Sequence, residues 1–327
     1  MPEPLDDHHL LLATLPPSKG QIRLALGVVI GLLLALALTI PSTNIQLPRV
    51  DAFIPAFETA IVFNDLVTAA LLFAQFSILR WRSLLVLANG FLFTALIVIP
   101  HALTFPGAFT PTGLLGAGLQ TTAWLYYFWH AGAPLAVIGY VLLKDANNRV
   151  AKSQRSPAAV IGWSIALVIL IVCVLTWIAI HADTFLPRIM AGSTEANRRV
   201  LALIGLLITS LNAVALVLLW LRRRSVLDLW LMVMCCAWLA ETLVTAFVSG
   251  RFTFGFYASR LYAFVAVFSV LLTLLSETMT LYRQHLNSPS SIVLRRPCAT
   301  ISRTRSTNLR ALCMGDYAKS DNLSATN

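Results

Sequence analysis

Charge is what this sequence has least of. Only 12% of its 327 residues are Asp, Glu, Lys or Arg and 58% are hydrophobic, whereas a soluble domain carries about 25% charged residues. With a mean hydropathy of +0.78, that deficit excludes an ordinary soluble domain and places the chain among integral membrane proteins. Catalytic signatures are missing too: there is no H-E-x-x-H, no G-x-S-x-G, no Walker A loop and no Gly-rich dinucleotide turn followed by an acidic residue. An enzyme is therefore not expected. Of the five cysteines, Cys173, Cys235 and Cys236 lie in apolar segments and Cys298 and Cys313 in the C-terminal tail, so neither a disulfide framework nor a C-x-x-C metal signature is present. Only His130 sits deep in an apolar run, which leaves no histidine pair to ligate haem. The cofactor stays unknown.

What the sequence does have is long apolar runs. A helix needs about 20 mostly apolar residues to cross about 30 Å of hydrocarbon, and by that rule eight segments qualify: 22–40, 54–79, 83–99, 119–143, 158–180, 200–221, 229–249 and 260–276. The expected class is all-α, a polytopic membrane bundle of about eight helices. The third segment is the shortest, ending at Pro100 and joined to the second by Arg80, Trp81 and Arg82, so seven spans is the alternative. Residues 1–20 are acidic at the start and broken by Pro16 and Pro17, and do not read as a cleaved signal.

Basic residues near span ends set orientation. One set of connections holds Lys19, Arg23, Arg80, Arg82, Lys144, Arg149, Lys152, Arg155, Arg222, Arg223, Arg224 and Arg283; the other holds Arg49, Arg188, Arg198, Arg199, Arg251 and Arg260. Twelve against six puts both termini of a multi-pass membrane protein in the cytoplasm. The net charge of +10 is then a topology signal facing membrane lipid, not a nucleic-acid footprint.

Three connections are long: 41–53, 100–118 and 181–199, all extracytoplasmic in this orientation. Past the last span, Phe268, Leu272, Leu275, Met279, Tyr282 and Leu286 step by 4, 3, 4, 3 and 4, a short heptad-like seam. It reads either as the inner face of the last span or as a signalling helix able to pair in a homodimer. Residues 287–327 lose the apolar period and are rich in Ser, Thr, Asn and Arg, the composition of a disordered tail.

Ionisable residues inside spans are the default functional candidates, because each is costly there unless paired or hydrated. They are Glu58 and Asp65 in the second span, His130 in the fourth and Glu241 in the seventh, all in the outer half or at the midplane. Asn64 stands beside Asp65. In the fourth span the run QTTAWLYYFWHAGAP places Gln120 and Trp124 four apart and Tyr126 and Tyr127 on the face of His130, with Trp129 directly before it. The expectation is a polar pocket, centred on Asp65 and His130 and rimmed by Arg251, Tyr257 and Arg260, under the 100–118 loop. The alternative is that these groups are interhelical glue and the aromatics an interfacial belt. His101, at the end of the third segment, reads as interfacial.

FPGAFTPTGLLGAGLQTTAWLYYFWHAGAP, with the earlier FETAIVFNDLVTAALLFAQF and the later LLSETMTLYRQHL, resembles the fourth type of membrane-associated sensor (MASE) domain over roughly 15 to 286. The Q-T-x-x-W-L-Y-x-x-W-H string is its specific part. Asn64, Asp65, Phe105, Pro106, Gly107, Gln120, Thr121, Trp124, Leu125, Tyr126, Trp129, His130, Gly132 and Pro134 match, while Ala133 stands where an aromatic is expected. The resemblance implies a sensor domain over 21–286. It would bind an unknown small ligand or sense membrane state and signal through its last helix to a diguanylate cyclase (cyclic di-GMP signalling) or a histidine kinase (two-component signalling). No such output follows Leu286, as in a truncated or frame-shifted gene, or in a stand-alone sensor serving a separate cytoplasmic output protein. The rival function is a small-molecule transporter, against which the absence of inverted repeats counts.

Overall fold

A computed structural model of the chain describes residues 15–144, 156–192, 197–223, 225–248 and 250–287. The tail from 288 on and most of the N-terminal segment lie outside the described residues. Nine α-helices are present among the described residues: α1 (Lys19–Thr39), α2 (Phe53–Leu79), α3 (Arg82–Thr104), α4 (Thr121–Lys144), α5 (Pro157–Ile180), the short α6 (Ala182–Phe185), α7 (Arg198–Leu221), α8 (Val226–Phe247) and α9 (Phe254–Asn287). All but α6 are long and apolar enough to cross a membrane, which removes the seven-span alternative. The chain divides into two units, Met1–Thr278 and Met279–Asn327. The bundle belongs to the first; the described part of the second is the helical end of α9.

Local chemistry sets the helix starts. Ser18 and Gln21 form a reciprocal capping box on α1, as do Ser225 and Asp228 on α8, satisfying backbone donors that have no partner within a helix's first turn. Ser156 caps α5 ahead of Pro157 at its first position. At the end of α2, Arg80 takes a left-handed conformation (φ 58°) and its N–H returns to the Phe76 carbonyl, so the chain reverses within two residues.

Most span ends fall within about three residues of the sequence expectation, and two differ by more. α3 runs through Pro100 to Thr104, because the missing proline donor costs one bond and the Thr104 hydroxyl donates to the carbonyls of Pro100 (2.8 Å) and His101 (3.2 Å). The last helix starts at Phe254, not 260, so Arg260 is not a loop residue. Its guanidinium lies over the Phe256 ring at 4.1 Å and donates to the Phe256 carbonyl and the Ser259 hydroxyl.

Helices α2, α3, α4, α8 and α9 make the buried centre, and α1, α5 and α7 present mostly exposed apolar side chains around it. Close approach of α3 and α4 depends on glycine: a Cβ on Gly90 would stand 2.2 Å from the Ala136 Cβ, and one on Gly132 2.1 Å from the Phe93 ring. The connections 43–53 and 248–253 meet at one face, where Leu47 N–H donates to the Phe252 carbonyl and Phe254 N–H to that of Ile45. The 105–120 and 181–192 connections share that end of α4. We call it the long-loop face. At the opposite face, Asp228 accepts from Lys144 (2.7 Å) and Tyr140 (2.9 Å), tying the end of α4 to the start of α8.

On α9 the buried line is Ala263, Ala266, Val267, Val270 and Leu274, whereas Leu272, Leu275 and Met279 are exposed. The heptad-like seam is therefore not the inner face of the last span. Side chains at Tyr282 and Leu286 lie outside the described residues.

Candidate functional site

Two imidazole–carboxylate pairs lie buried near the long-loop face, and none of their four residues is more than 4% exposed. In the first, His101 Nδ1 meets Glu58 Oε1 at 2.8 Å, joining α3 to α2. In the second, His130 Nε2 meets both oxygens of Glu241 at 3.1 Å, joining α4 to α8. His130 Nδ1 lies 2.8 Å from the Tyr126 carbonyl. A carbonyl only accepts, so Nδ1 carries a hydrogen. The contact with Glu241 then needs one further hydrogen, held by either Nε2 or the carboxylate.

The aromatic run of α4 packs around both imidazoles. Tyr126 stacks on His130 at 3.9 Å between ring centroids, and Trp129 meets His130 edge-on at 4.6 Å. The same two rings lie 6.2 and 6.0 Å from His101. The Tyr126 hydroxyl reaches Glu241 at 3.3 Å.

Asp65 does not join this cluster. It accepts from Thr94 Oγ1 (2.6 Å) and from Asn64 Nδ2 (3.1 Å), and faces a void of about 10 Å³ lined also by Gly90, Ala133 and Trp238. No hydrogen bond or ion pair among the described residues joins Asp65 to His130, so the expected centre of the pocket is corrected: the carboxylate opposite His130 is Glu241. The expectation that His101 is interfacial is corrected as well, because α3 continues past Pro100 and carries it into the core.

Gln120 and Trp124 have a different task. Gln120 Oε1 accepts from the N–H groups of Ile189 and Met190, its Nε2 donates to the Met190 carbonyl, all at 2.8 Å, and the Trp124 indole donates to Pro187 at 3.2 Å. Together they clamp the α6–α7 connection over the start of α4. Beneath it lies a cleft of about 170 Å³ lined by His101, Phe105, Tyr126, Tyr127, Arg251 and Arg260, with Ile189 and Met190 among the other wall residues. Tyr257 instead bonds to Val50 and Pro48 and takes no part in this cleft. His130 and Glu241 stand behind Tyr126 and do not line it.

Sequence reasoning missed the 189–190 wall, His101 as a pair member, and Thr94. A signal for His101 exists: buried Glu58 needs a partner, and a histidine one helical step past a tolerated proline supplies it.

A family model for a membrane-associated sensor, integral membrane domain (MASE4) matches residues 48–282. The chain belongs to the MASE4 family. The matched region takes in every residue of the cleft and both imidazole–carboxylate pairs. No curated protein and no solved structure matches the chain. That family is described as a membrane-associated sensor, and in this chain the cleft brings His101, Tyr126, Arg251 and Arg260 to one opening between the helices.

Proposed function

We propose that this MASE4 chain is the sensory input module of a bacterial inner-membrane signalling protein, with the cleft as its input site and α9 as its output helix. The observation that carries the reading is Arg260. It lines the cleft from the second turn of α9 and lies 6.0 Å from the Tyr126 ring, which in turn contacts Glu241 and His130. The same helix continues past the end of the span at Ser276 to Asn287. A ligand would act by favouring one of two helix arrangements, which requires different affinity for the two. In this reading the long-loop face is extracytoplasmic, both termini are cytoplasmic, and the output is a diguanylate cyclase or a histidine kinase, fused or separate. The exposed stripe of Leu272, Leu275 and Met279 is where two copies would pair.

The test is a fusion of residues 1–290 to a diguanylate cyclase, with cyclic di-GMP measured while small molecules are supplied outside. At least one should change the output, and Tyr126→Ala should abolish the response while leaving the amount of membrane-inserted protein unchanged. Solute uptake into liposomes without any effect on output would instead support the transporter.

A further inference from the structure

We propose that the cleft binds a small free organic carboxylate, with a body no larger than one ring or a short alkyl chain, held by Arg251 and Arg260. This rests on the cleft being the input site and names the class of ligand it takes.

Charge points to an anion. Two guanidiniums line the cleft and, among the described residues, no Asp or Glu does; His101, which also lines it, is already paired with Glu58. Among the described residues neither arginine forms an ion pair. Arg251 is partly buried and lies over the Phe105 ring at 4.9 Å. Burial, and then the like charge of Arg260, push the Arg251 guanidinium below its usual range. Two neighbouring cations withdrawn from water without a counter-ion are costly, and an anion between them removes that cost.

Donor geometry points to a carboxylate. Each guanidinium has five N–H donors in a planar fork suited to bidentate pairing. Stacking on Phe105 and Phe256 uses the faces of these groups and leaves their edges available. Arg260 directs both of its hydrogen bonds from Nη1, to the Phe256 carbonyl and the Ser259 hydroxyl, so Nη2 and Nε remain. The Thr245 hydroxyl also belongs to the cleft wall.

The remaining walls set the body of the ligand. Phe105, Tyr127, Ile189, Leu201, Val248 and Phe256 are apolar or aromatic, which suits a hydrocarbon body and not a bare inorganic ion. A cavity of about 150 Å³ holds benzene, and this one is about 170 Å³. Because Arg251 lies between α8 and α9 and Arg260 within α9, a carboxylate bridging them would tie that connection to the output helix.

The experiment uses the full chain in phosphatidylcholine nanodiscs, titrated calorimetrically with benzoate and hexanoate, and with benzamide and inorganic phosphate as comparisons. Benzoate or hexanoate should bind saturably, at least tenfold tighter than either comparison, and Arg251→Gln and Arg260→Gln should each weaken binding at least tenfold. Equal binding of benzamide, preferred binding of phosphate, or no saturable binding of either acid overturns the proposal without needing any variant. Loss of benzoate binding when phosphatidylglycerol, but not further phosphatidylcholine, is added to the nanodiscs overturns it in favour of a lipid headgroup. The cyclase fusion separates the two levels of inference. Carboxylate binding with an unresponsive fusion rejects the sensing function but keeps the site, whereas a fusion that answers only to uncharged molecules keeps the sensor and rejects the carboxylate.

Discussion

At the scale of single residues, His130 is held by geometry that assigns it a partner. Its two ring nitrogens are both engaged, by the Tyr126 carbonyl and the Glu241 carboxylate, and low dielectric strengthens such contacts. Residues in one buried pair are energetically coupled, those with separate partners are not. A double-mutant cycle of His130→Gln and Glu241→Gln, read by thermal unfolding in detergent, should therefore give a coupling of about 1–3 kcal/mol. The same cycle with Asp65→Asn in place of Glu241→Gln should be additive to within about 0.5 kcal/mol. A large Asp65 coupling would mean that Trp238, which lines the Asp65 void and lies 6.4 Å from the His130 ring, transmits between them. The sequence made the ionisable residues legible, because a carboxylate or imidazole in an apolar run needs a reason. It could not choose between Asp65 and Glu241 as the partner. Both are lone carboxylates at similar depth, and only the packing of α8 and α2 around α4 decides which one faces the imidazole.

At the scale of elements, the spans were legible because length and apolarity are properties of the local chain, whereas two helix ends were not. Pro100 and Arg260 look like boundaries by their own chemistry, and partners one turn away in the same helix offset it: the Thr104 hydroxyl covers carbonyls at the end of α3 in one case, and the Phe256 ring accepts the guanidinium in the other. Helix packing leaves a sharper mark at glycine. Gly90 faces the Ala136 Cβ, which cannot rotate away, while Gly132 faces the Phe93 ring, whose far atoms can swing. Gly27 on α1 has nothing within 4 Å of the position its Cβ would take. Overpacking of a close interface costs about 1–3 kcal/mol. Gly90→Ala should therefore lower thermal stability most, Gly132→Ala less, and Gly27→Ala not at all or in the stabilising direction, since alanine favours helix. The order of the three melting temperatures is the measurement. Equal losses at Gly90 and Gly27 would show that α3 and α4 do not approach as described.

At the scale of the whole molecule, the sidedness of the bundle links its construction to its use. The connections at the long-loop face are bound in pairs, through Leu47 with Phe252 and Gln120 with Ile189 and Met190, and Ile189, Met190 and Arg251 border the cleft. The opposite face has shorter described turns and the Lys144–Asp228 contact. Basic residues near the span ends number twelve on that second side against six on the long-loop side. Since short basic connections are retained in the cytoplasm, the cleft should open outward, where an external acid could reach Arg251 without crossing the membrane. Alkaline phosphatase, active only outside, should therefore give signal when fused after Pro106 or Ala191 and none when fused after Ser288. Cysteines introduced at Phe109 and Gly192 should react with a membrane-impermeant maleimide on intact cells, in a background where the native thiols have been removed. An outward signal at Ser288 together with unreactive cysteines at 109 and 192 would invert the molecule. The cleft would then face the cytoplasm, where its ligand would be a metabolite of the cell and not a molecule from outside.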